Sequence, residues 1–504
     1  MVRTDRVKIP LRDQLWLHMD RPDNLMYINS LVWFDEVPDW DRVIETIARR
    51  MIEQYPVFTR VPVREGRTWY WQDHPDFDLA DHITYHRLPG TGNRAEAEAH
   101  ISERISVPMP RDRPLWEAEF IEGYRGHDGD DGTEGALLLF RVQHGVVDGV
   151  RLTQLILSLC DHDDDSVPEP VGRAGLAPEE GGLISTLGHA GLEVARDSFG
   201  IAKDAARAAI TWPWTLAKVA GDVVAPGRQF RRVPTRAVES LTGVVSPTNH
   251  SANTFRSVFR LIMEPRAPEL SWSGRAHAQK KVSWVSGLDL EGVKRIARAH
   301  ESTVTAVILA AVSMGLTEYL RRHGDEPVAD ISLMVPISLA PIEVEPSSEL
   351  GNHVTLILLR LPLGVADPDR LLGQVTETMT RVRYSYEPHV TFTTMMGVAA
   401  APRPVATAII DFFANKTVGQ LTSVPGPRTT VSLAGTPVAG MLGWVPMSGN
   451  QALGICIFSY DGRVSLGFAT DAQLVPDPAQ MAVIVGEQFA NFAGWSEDVA
   501  PGGA

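Results

Sequence analysis

Arg141-Val142-Gln143-His144-Gly145-Val146-Val147-Asp148-Gly149 is the stretch on which the reading of this chain turns. The apolar run Ala136 to Phe140 before it reads as a strand. The apolar positions Leu152, Leu155, Ile156 and Leu159 after it read as a helix. A histidine at such a strand-to-helix junction can take a proton near neutral pH. An aspartate one turn on can hold the local geometry, and the glycine after it permits a tight backbone approach. His-x-x-x-Asp alone is a weak pattern, and most such histidines only satisfy a local hydrogen bond. Followed by glycine and framed by two apolar elements, the pattern is stronger.

Outward from this motif, the chain has the size and balance of an ordinary globular protein. Its 504 residues leave room for roughly two to three domains, and 44% apolar with 22% charged residues is enough to build large cores without staples. The net charge of -15 argues against a nucleic-acid partner, whose backbone demands clustered Lys and Arg. Cys160 and Cys456 both lie in apolar segments and read as small buried hydrophobes in a reducing compartment. Met1 to Pro10 is polar and basic, unlike a signal peptide. No uninterrupted apolar run of about 18 residues appears, so no spanning helix is expected and the protein reads as soluble or peripheral. No histidine cluster suggests a metal site, and no Gly-rich Lys-Ser/Thr loop suggests ATP.

The first region, 1–160, carries the motif. Trp40 to Gln54 reads as an amphipathic helix and Ala95 to Ile105 as a second, more charged one. Trp116 to Glu122 and Gly135 to Gln143 read as strands joined by an acidic loop, His127 to Glu134. A segment of different composition follows over 161–244. It starts as a Pro/Gly-rich acidic linker, turns helical in tone from Leu183, and becomes basic between Lys203 and Arg236 around Trp212-Pro213-Trp214. Basic residues beside indoles suit a membrane interface; the alternative is a helical hairpin packed on the second region. The second region, 245–504, alternates helices with strands. Helices are expected over Leu290 to Ala299, from a Ser302 cap to Arg322, over Pro368 to Arg383 and over Pro478 to Phe492. Strands are expected over Ile331 to Ile337 and Val354 to Leu361, with a hairpin turning at Asp461-Gly462. The class is therefore α/β or α+β.

Read together, several segments resemble the bacterial wax ester synthase/acyl-CoA:diacylglycerol acyltransferase family. Its fold is shared with chloramphenicol acetyltransferase, carnitine acyltransferases and condensation domains. The family hallmark His-His-x-x-x-Asp-Gly stands here as Gln143 to Gly149. Pro114-Leu115-Trp116 resembles its Pro-Leu-Trp block. Met334-Val335-Pro336-Ile337-Ser338, Leu350-Gly351-Asn352 and Ser423-Val424-Pro425-Gly426-Pro427 resemble later elements, and Phe468-Ala469-Thr470-Asp471 with Val475-Pro476-Asp477-Pro478 the C-terminal signature. The likeness runs along nearly the whole chain in the right order. It departs at Gln143, where the family has the first histidine, at Thr305-Ala306, where it has Asn-Asp, and at Ser423, where it has Asn.

The resemblance implies two chloramphenicol acetyltransferase-like domains meeting at a tunnel with His144 at its midpoint, acyl-CoA entering one side and the acceptor the other. It implies direct transfer, with no cofactor besides acyl-CoA as co-substrate. His144 would be the base, Asp148 would brace the loop by pairing with an arginine, and Gly149 would allow the turn. Gln143 would bear on acceptor handling. The oxyanion donor is open between Ser423, Thr305 and backbone amides near Gly145. Pro114, Leu115 and Trp116 either shape the channel or simply start a strand with a packed indole. Asn352 reads as a turn-capping amide. The acceptor implied is a diacylglycerol or long-chain alcohol. The drifted positions leave two other readings open, a different acceptor or a lipid-binding paralogue without chemistry. The expected location is cytoplasmic, with peripheral contact at the inner face of the plasma membrane or at lipid droplets.

Overall fold

The computed structural model describes residues 6–66, 68–126, 133–161, 267–326, 328–338, 352, 354–383, 391, 395, 398, 399, 401 and 403–498. In chain order the first half runs β1 (Arg6–Lys8), α1 (Leu11–Met19), β2 (Tyr27–Phe34), α2 (Trp40–Ile47), β3 (Arg60–Glu65), β4 (Thr68–Asp73), β5 (Ile83–Arg87), α3 (Arg94–Ile105), β6 (Trp116–Tyr124), β7 (Gly135–Gln143) and α4 (Gly149–Leu159). The second half runs β8 (Lys280–Asp289), α5 (Leu290–Ala299), α6 (Val304–Arg322), β9 (Asp330–Ser338), β10 (Val354–Pro362), α7 (Pro368–Arg383), α8 (Arg403–Ala414), β11 (Gly419–Pro425), β12 (Ser432–Leu433), β13 (Thr436–Pro437), β14 (Gly440–Trp444), β15 (Leu453–Tyr460), β16 (Arg463–Asp471) and α9 (Pro478–Asp498).

Local chemistry accounts for these elements. Asn93 caps α3 with a full capping box, its side chain on Glu96 N and the Glu96 carboxylate on the Asn93 amide. The helix expected over Trp40 to Gln54 is α2 followed by a wider π turn, Ala48–Ile52. The cap of α6 is Thr303 rather than Ser302, whose hydroxyl meets Thr376 Oγ1 at 2.6 Å instead. Asp461 (φ 45°) and Gly462 (φ 72°) both take left-handed backbone, the conformation a two-residue hairpin loop requires, and so join β15 to β16.

The sheets show how the halves are joined. One has the order β14-β2-β7-β6-β5, the other β10-β9-β11-β15-β16-β8. The innermost strand of the first sheet, β7, is buried at every position, which is why its sequence is a continuous apolar run rather than an alternation. Strand β14, from the second half, pairs antiparallel with β2, so Ser30 lies against Gly443 and the first sheet is completed by the far end of the chain. Helix α6 is buried on every side from Thr305 to Ser313, where the second core encloses it. Among the described residues it alone is long and apolar enough to cross a membrane, yet 72% of its apolar window is buried inside the protein. Cys160 and Cys456 are buried free thiols. Residues 162–244, with the basic Trp-bearing run, lie outside the described residues, as does most of the acidic loop.

Candidate active site

The motif occupies the turn between β7 and α4. Asp148 is the N-cap of α4, its carboxylate accepting the backbone amide of Arg151 at 3.0 Å. The described bond thus goes to an arginine main chain, and its effect is to start the helix squarely after the turn. Backbone bonds fix the other side of the turn: Gln143 N–H donates to Leu115 O (3.0 Å) and His144 N–H to Met26 O (2.8 Å).

The His144 side chain, 8% exposed, is held on two sides. Trp16 of α1 stacks on it with ring centroids 3.7 Å apart and planes at 12°. Asn352 lies 2.7 Å from its Nδ1 through Oδ1 and donates from Nδ2 to the His144 carbonyl at 2.7 Å. That same Nδ2, and the Asn352 backbone amide, donate to Asp13 Oδ1 at 2.9 Å each. With Nδ2 donating to two acceptors the amide orientation is settled, so Oδ1 must be the acceptor for His144. Nδ1 therefore carries the proton and Nε2 presents a lone pair. Burial pushes the imidazole pKa below 6.5, against the opposing pull of the Asp148 charge and the Asn352 bond, which leaves Nε2 unprotonated and the ring uncharged at neutral pH.

Asp13 is the unexpected member of this group. It is buried, and desolvation raises its pKa to about 6 despite the Asn352 donors and nearby Arg12. A carboxyl raised in the folded state adds stability at low pH that is lost as pH rises through about 6. Asp13→Asn keeps an oxygen for both Asn352 donors and has no charge to bury. It should therefore raise stability by of order 2 kcal/mol at pH 7 and leave it unchanged near pH 4, read as Tm against pH.

The other residues singled out from sequence fall into place unequally. Gln143 is fully buried, with Nε2 on Trp16 O (3.2 Å) and Oε1 on Gly145 N (2.5 Å), so it braces α1 against the turn rather than facing substrate. Gly145 and Val146 amides are spent on Gln143, which removes them as oxyanion donors. Trp116 is core: its Nε1 donates to Phe58 O at 2.9 Å and its ring stacks on His82, so Pro114-Leu115-Trp116 starts a strand and lines neither void described below. Ser423 pairs with Ile457 and shares its face of β11 with Leu421, in the second core, while Thr422 and Val424 face the first half. Thr305 is buried in the first turn of α6, and no described contact ties it to His144. Asn352 is not a turn cap but the partner of His144. Among the described residues one group, His86, His100 and Glu119, could meet around an ion, but both Glu119 oxygens are already taken by His100 and Arg104.

The two glycines have opposite roles. A Cβ at Gly145 would lie 2.7 Å from Gln143 Oε1 and 3.0 Å from Asp13 O, whereas one at Gly149 would meet nothing within 4 Å. The tight approach expected of Gly149 belongs to Gly145. Gly145→Ala should cost about 1–3 kcal/mol by overpacking, while Gly149→Ala should be neutral or stabilise by up to about 1 kcal/mol, as thermal or urea melts would show.

Gly149 instead opens onto one of two voids that flank the turn. This narrow cavity, about 50 Å³, is walled by Ile28, Ile156, Thr422, Met441 and Phe458 and lies between the two sheets. Thr422, missed in the sequence, places a hydroxyl on that wall. Across α1 is a wide cleft of about 800 Å³ whose walls include Leu17, His18, Tyr27, Trp69 and Arg111. His144 itself lines neither wall.

Two sheets, the first completed by a strand from the second half, and a buried histidine on a loop between two voids define the chloramphenicol acetyltransferase-like class of acyltransferases. Within it the chain belongs to the wax ester synthase/diacylglycerol acyltransferase family. The signature of the "Wax ester synthase/diacylglycerol acyltransferase catalytic domain" matches residues 11–308 and that of the "WS/DGAT C-terminal domain" residues 350–492. The chain is 22% identical over 491 residues to the O-acyltransferase WSD of Acinetobacter baylyi, covering 96% of each. It is 25% identical over 418 residues to a Mycobacterium tuberculosis protein named as a diacylglycerol O-acyltransferase, covering 81% of this chain and 73% of that one. Its fold matches the wax ester synthase/diacylglycerol acyltransferase of Marinobacter aquaeolei VT8 (TM-score 0.62, 17% identity, 97% of this chain and 100% of that one). It also matches the first condensation domain of the calcium-dependent antibiotic synthetase (TM-score 0.54, 14% identity, 98% and 97%).

Proposed function

We propose that this acyltransferase moves a fatty acyl group from coenzyme A to the hydroxyl of a diacylglycerol or long-chain alcohol, with His144 as the general base. The observation that carries this reading is the tautomer imposed by Asn352, which leaves the Nε2 lone pair of a neutral, buried imidazole for proton transfer. Nε2 takes the hydroxyl proton as the acceptor oxygen attacks the thioester carbonyl. The C–S bond then breaks, and the same proton passes to the departing thiolate, giving ester and free CoA-SH. The Asn352 and Trp16 contacts keep the ring in place through both transfers, and the Asp148 cap fixes the turn that carries it, so little reorganisation accompanies the chemistry. The narrow apolar cavity at Gly149 suits a hydrocarbon chain, and the wide polar cleft on the other side suits a charged carrier.

The test is CoA release together with ester formation by the purified protein, offered palmitoyl-CoA with dioleoylglycerol or with hexadecanol. Ester on either acceptor, with one CoA released per ester, supports the reading and names the acceptor class. Absence of ester from folded protein with both would turn it toward another acceptor or toward lipid binding without chemistry.

A further inference from the structure

Asp13 carries more charge than its place in the fold requires. Its Oδ1 accepts the backbone amide and the Nδ2 of Asn352 at 2.9 Å each. The uncharged oxygen of an asparagine at the same point would accept the same two bonds, with no carboxylate to desolvate. The side chain is nevertheless buried, 2% exposed, and with a pKa of about 6 it is ionised at neutral pH. A buried charge kept where a neutral isostere would satisfy the same donors points to a task other than anchoring.

The charged groups around Asp13 give it little support. Arg12, from its own helix, reaches Oδ1 only at 4.0 Å, the limit of an ion pair. From the turn before α4, Asp148 opposes its ionisation. The remaining titratable neighbour on that turn is His144, on the far side of Asn352. The carboxylate therefore faces one end of an amide whose other end holds the base. Asn352 Nδ2 donates to Asp13, and Asn352 Oδ1 accepts from His144 Nδ1 at 2.7 Å. Negative charge on the donor side of an amide pushes electron density onto its oxygen and strengthens the bond that oxygen accepts. The gain is largest when the ring is an imidazolium, the stronger donor. Helix α1 supplies both supports of the ring. Asp13 and Trp16 are three residues apart on it, and the Trp16 indole face, stacked on His144 at 3.7 Å, also favours a cation.

We propose that Asp13, Asn352 and His144 form a triad in which the Asp13 charge, passed through the polarised Asn352 amide, stabilises the His144 imidazolium during acyl transfer. The proposal deepens the reading above, in which Nε2 takes the hydroxyl proton and returns it to the thiolate. No proton moves along the triad: Nδ1 keeps its own throughout, and Asp13 stays ionised. Asp13 is thus a positioning residue that acts through Asn352.

The experiment uses the full chain and Asp13→Asn, the substitution expected above to raise stability at neutral pH. The first readout needs no turnover. It is the His144 Nδ1–H resonance, proton and nitrogen, in protein carrying 15N-labelled histidine, assigned by its absence from His144→Gln. The proposal expects these signals to move upfield in Asp13→Asn as the bond to Asn352 weakens. With palmitoyl-CoA and either acceptor, kcat should fall roughly ten- to a hundredfold, with KM for palmitoyl-CoA within about twofold and Tm at pH 7 raised. The acid limb of kcat/KM should shift to lower pH, because the ring has lost a charge that favours its protonation. Unmoved Nδ1–H signals make Asp13 an anchor for residue 352 alone and overturn the triad, whatever kcat does. Moved signals with kcat within about twofold, in protein that forms ester, overturn it as well. Moved signals in protein that forms no ester uphold the triad and remove only the reaction proposed above.

Discussion

Replacing His144 with alanine should lower ester formation by roughly a hundred- to ten-thousandfold, because proton transfer then falls to water. The loss should appear in kcat, with KM for acyl-CoA changed only a few-fold, since the base acts in the transition state and the donor is held elsewhere. The variant also removes a ring stacked on Trp16, so the kinetics need a melt beside them. His144→Gln, which fills more of the space, separates the two effects: restored Tm with kcat still low identifies lost chemistry rather than lost packing. In wild type, the acid limb of kcat/KM should have its midpoint below 6.5, as burial lowers this imidazole. Stability linked to His144 has the same sign, present above 6.5 and lost as pH falls through the lowered value.

The second large effect is expected at Asn352, a positioning residue that acts through the ring. Asn352→Ala removes the acceptor that holds the proton on Nδ1 and the Nδ2 donor to Asp13, leaving Asp13 only the backbone amide of residue 352. A fall in kcat of about a hundredfold is expected, by the logic of a misoriented or wrongly tautomeric base. The pH profile distinguishes this from a merely structural loss. The Asn352 bond raises the imidazole pKa, so its removal should move the acid limb down, whereas Asn352→Asp puts a carboxylate against Nδ1 and should move it up. Both variants shifting in the same direction, or neither shifting, would sink the positioning role.

The strand, turn and helix around His144 were legible because each carries its own local signal: an apolar run, an aspartate followed by glycine, and a helical stripe; that the aspartate caps the helix was not legible. The hairpin at Asp461-Gly462 was legible for the same reason. What surrounds the histidine was not. Asp13 and Gln14 look like surface residues in a short segment, and only the fold shows that α1 buries them. Asn352 follows a glycine and reads as a turn amide until the chain brings it to a histidine more than two hundred positions away. Ser423 and Thr422 differ by one position on a strand, and parity is set by register, which single-sequence patterning does not give on a strand buried on both faces. The Pro-Leu-Trp block was equally ambiguous, since an indole walls a channel or fills a core with the same residues.

The pairing of Ser30 with Gly443 also bears on how the chain is made. A ribosome adds ~5–20 residues per second, so β2 leaves it tens of seconds before its outer neighbour exists. Over that interval the nascent first sheet has an open flank of unpaired backbone, the sort of template on which chains stick to one another. Yield in a host would then depend on chaperone supply during translation more than on the stability of the finished enzyme, and a gene cut between the two halves would give a first half that never closes.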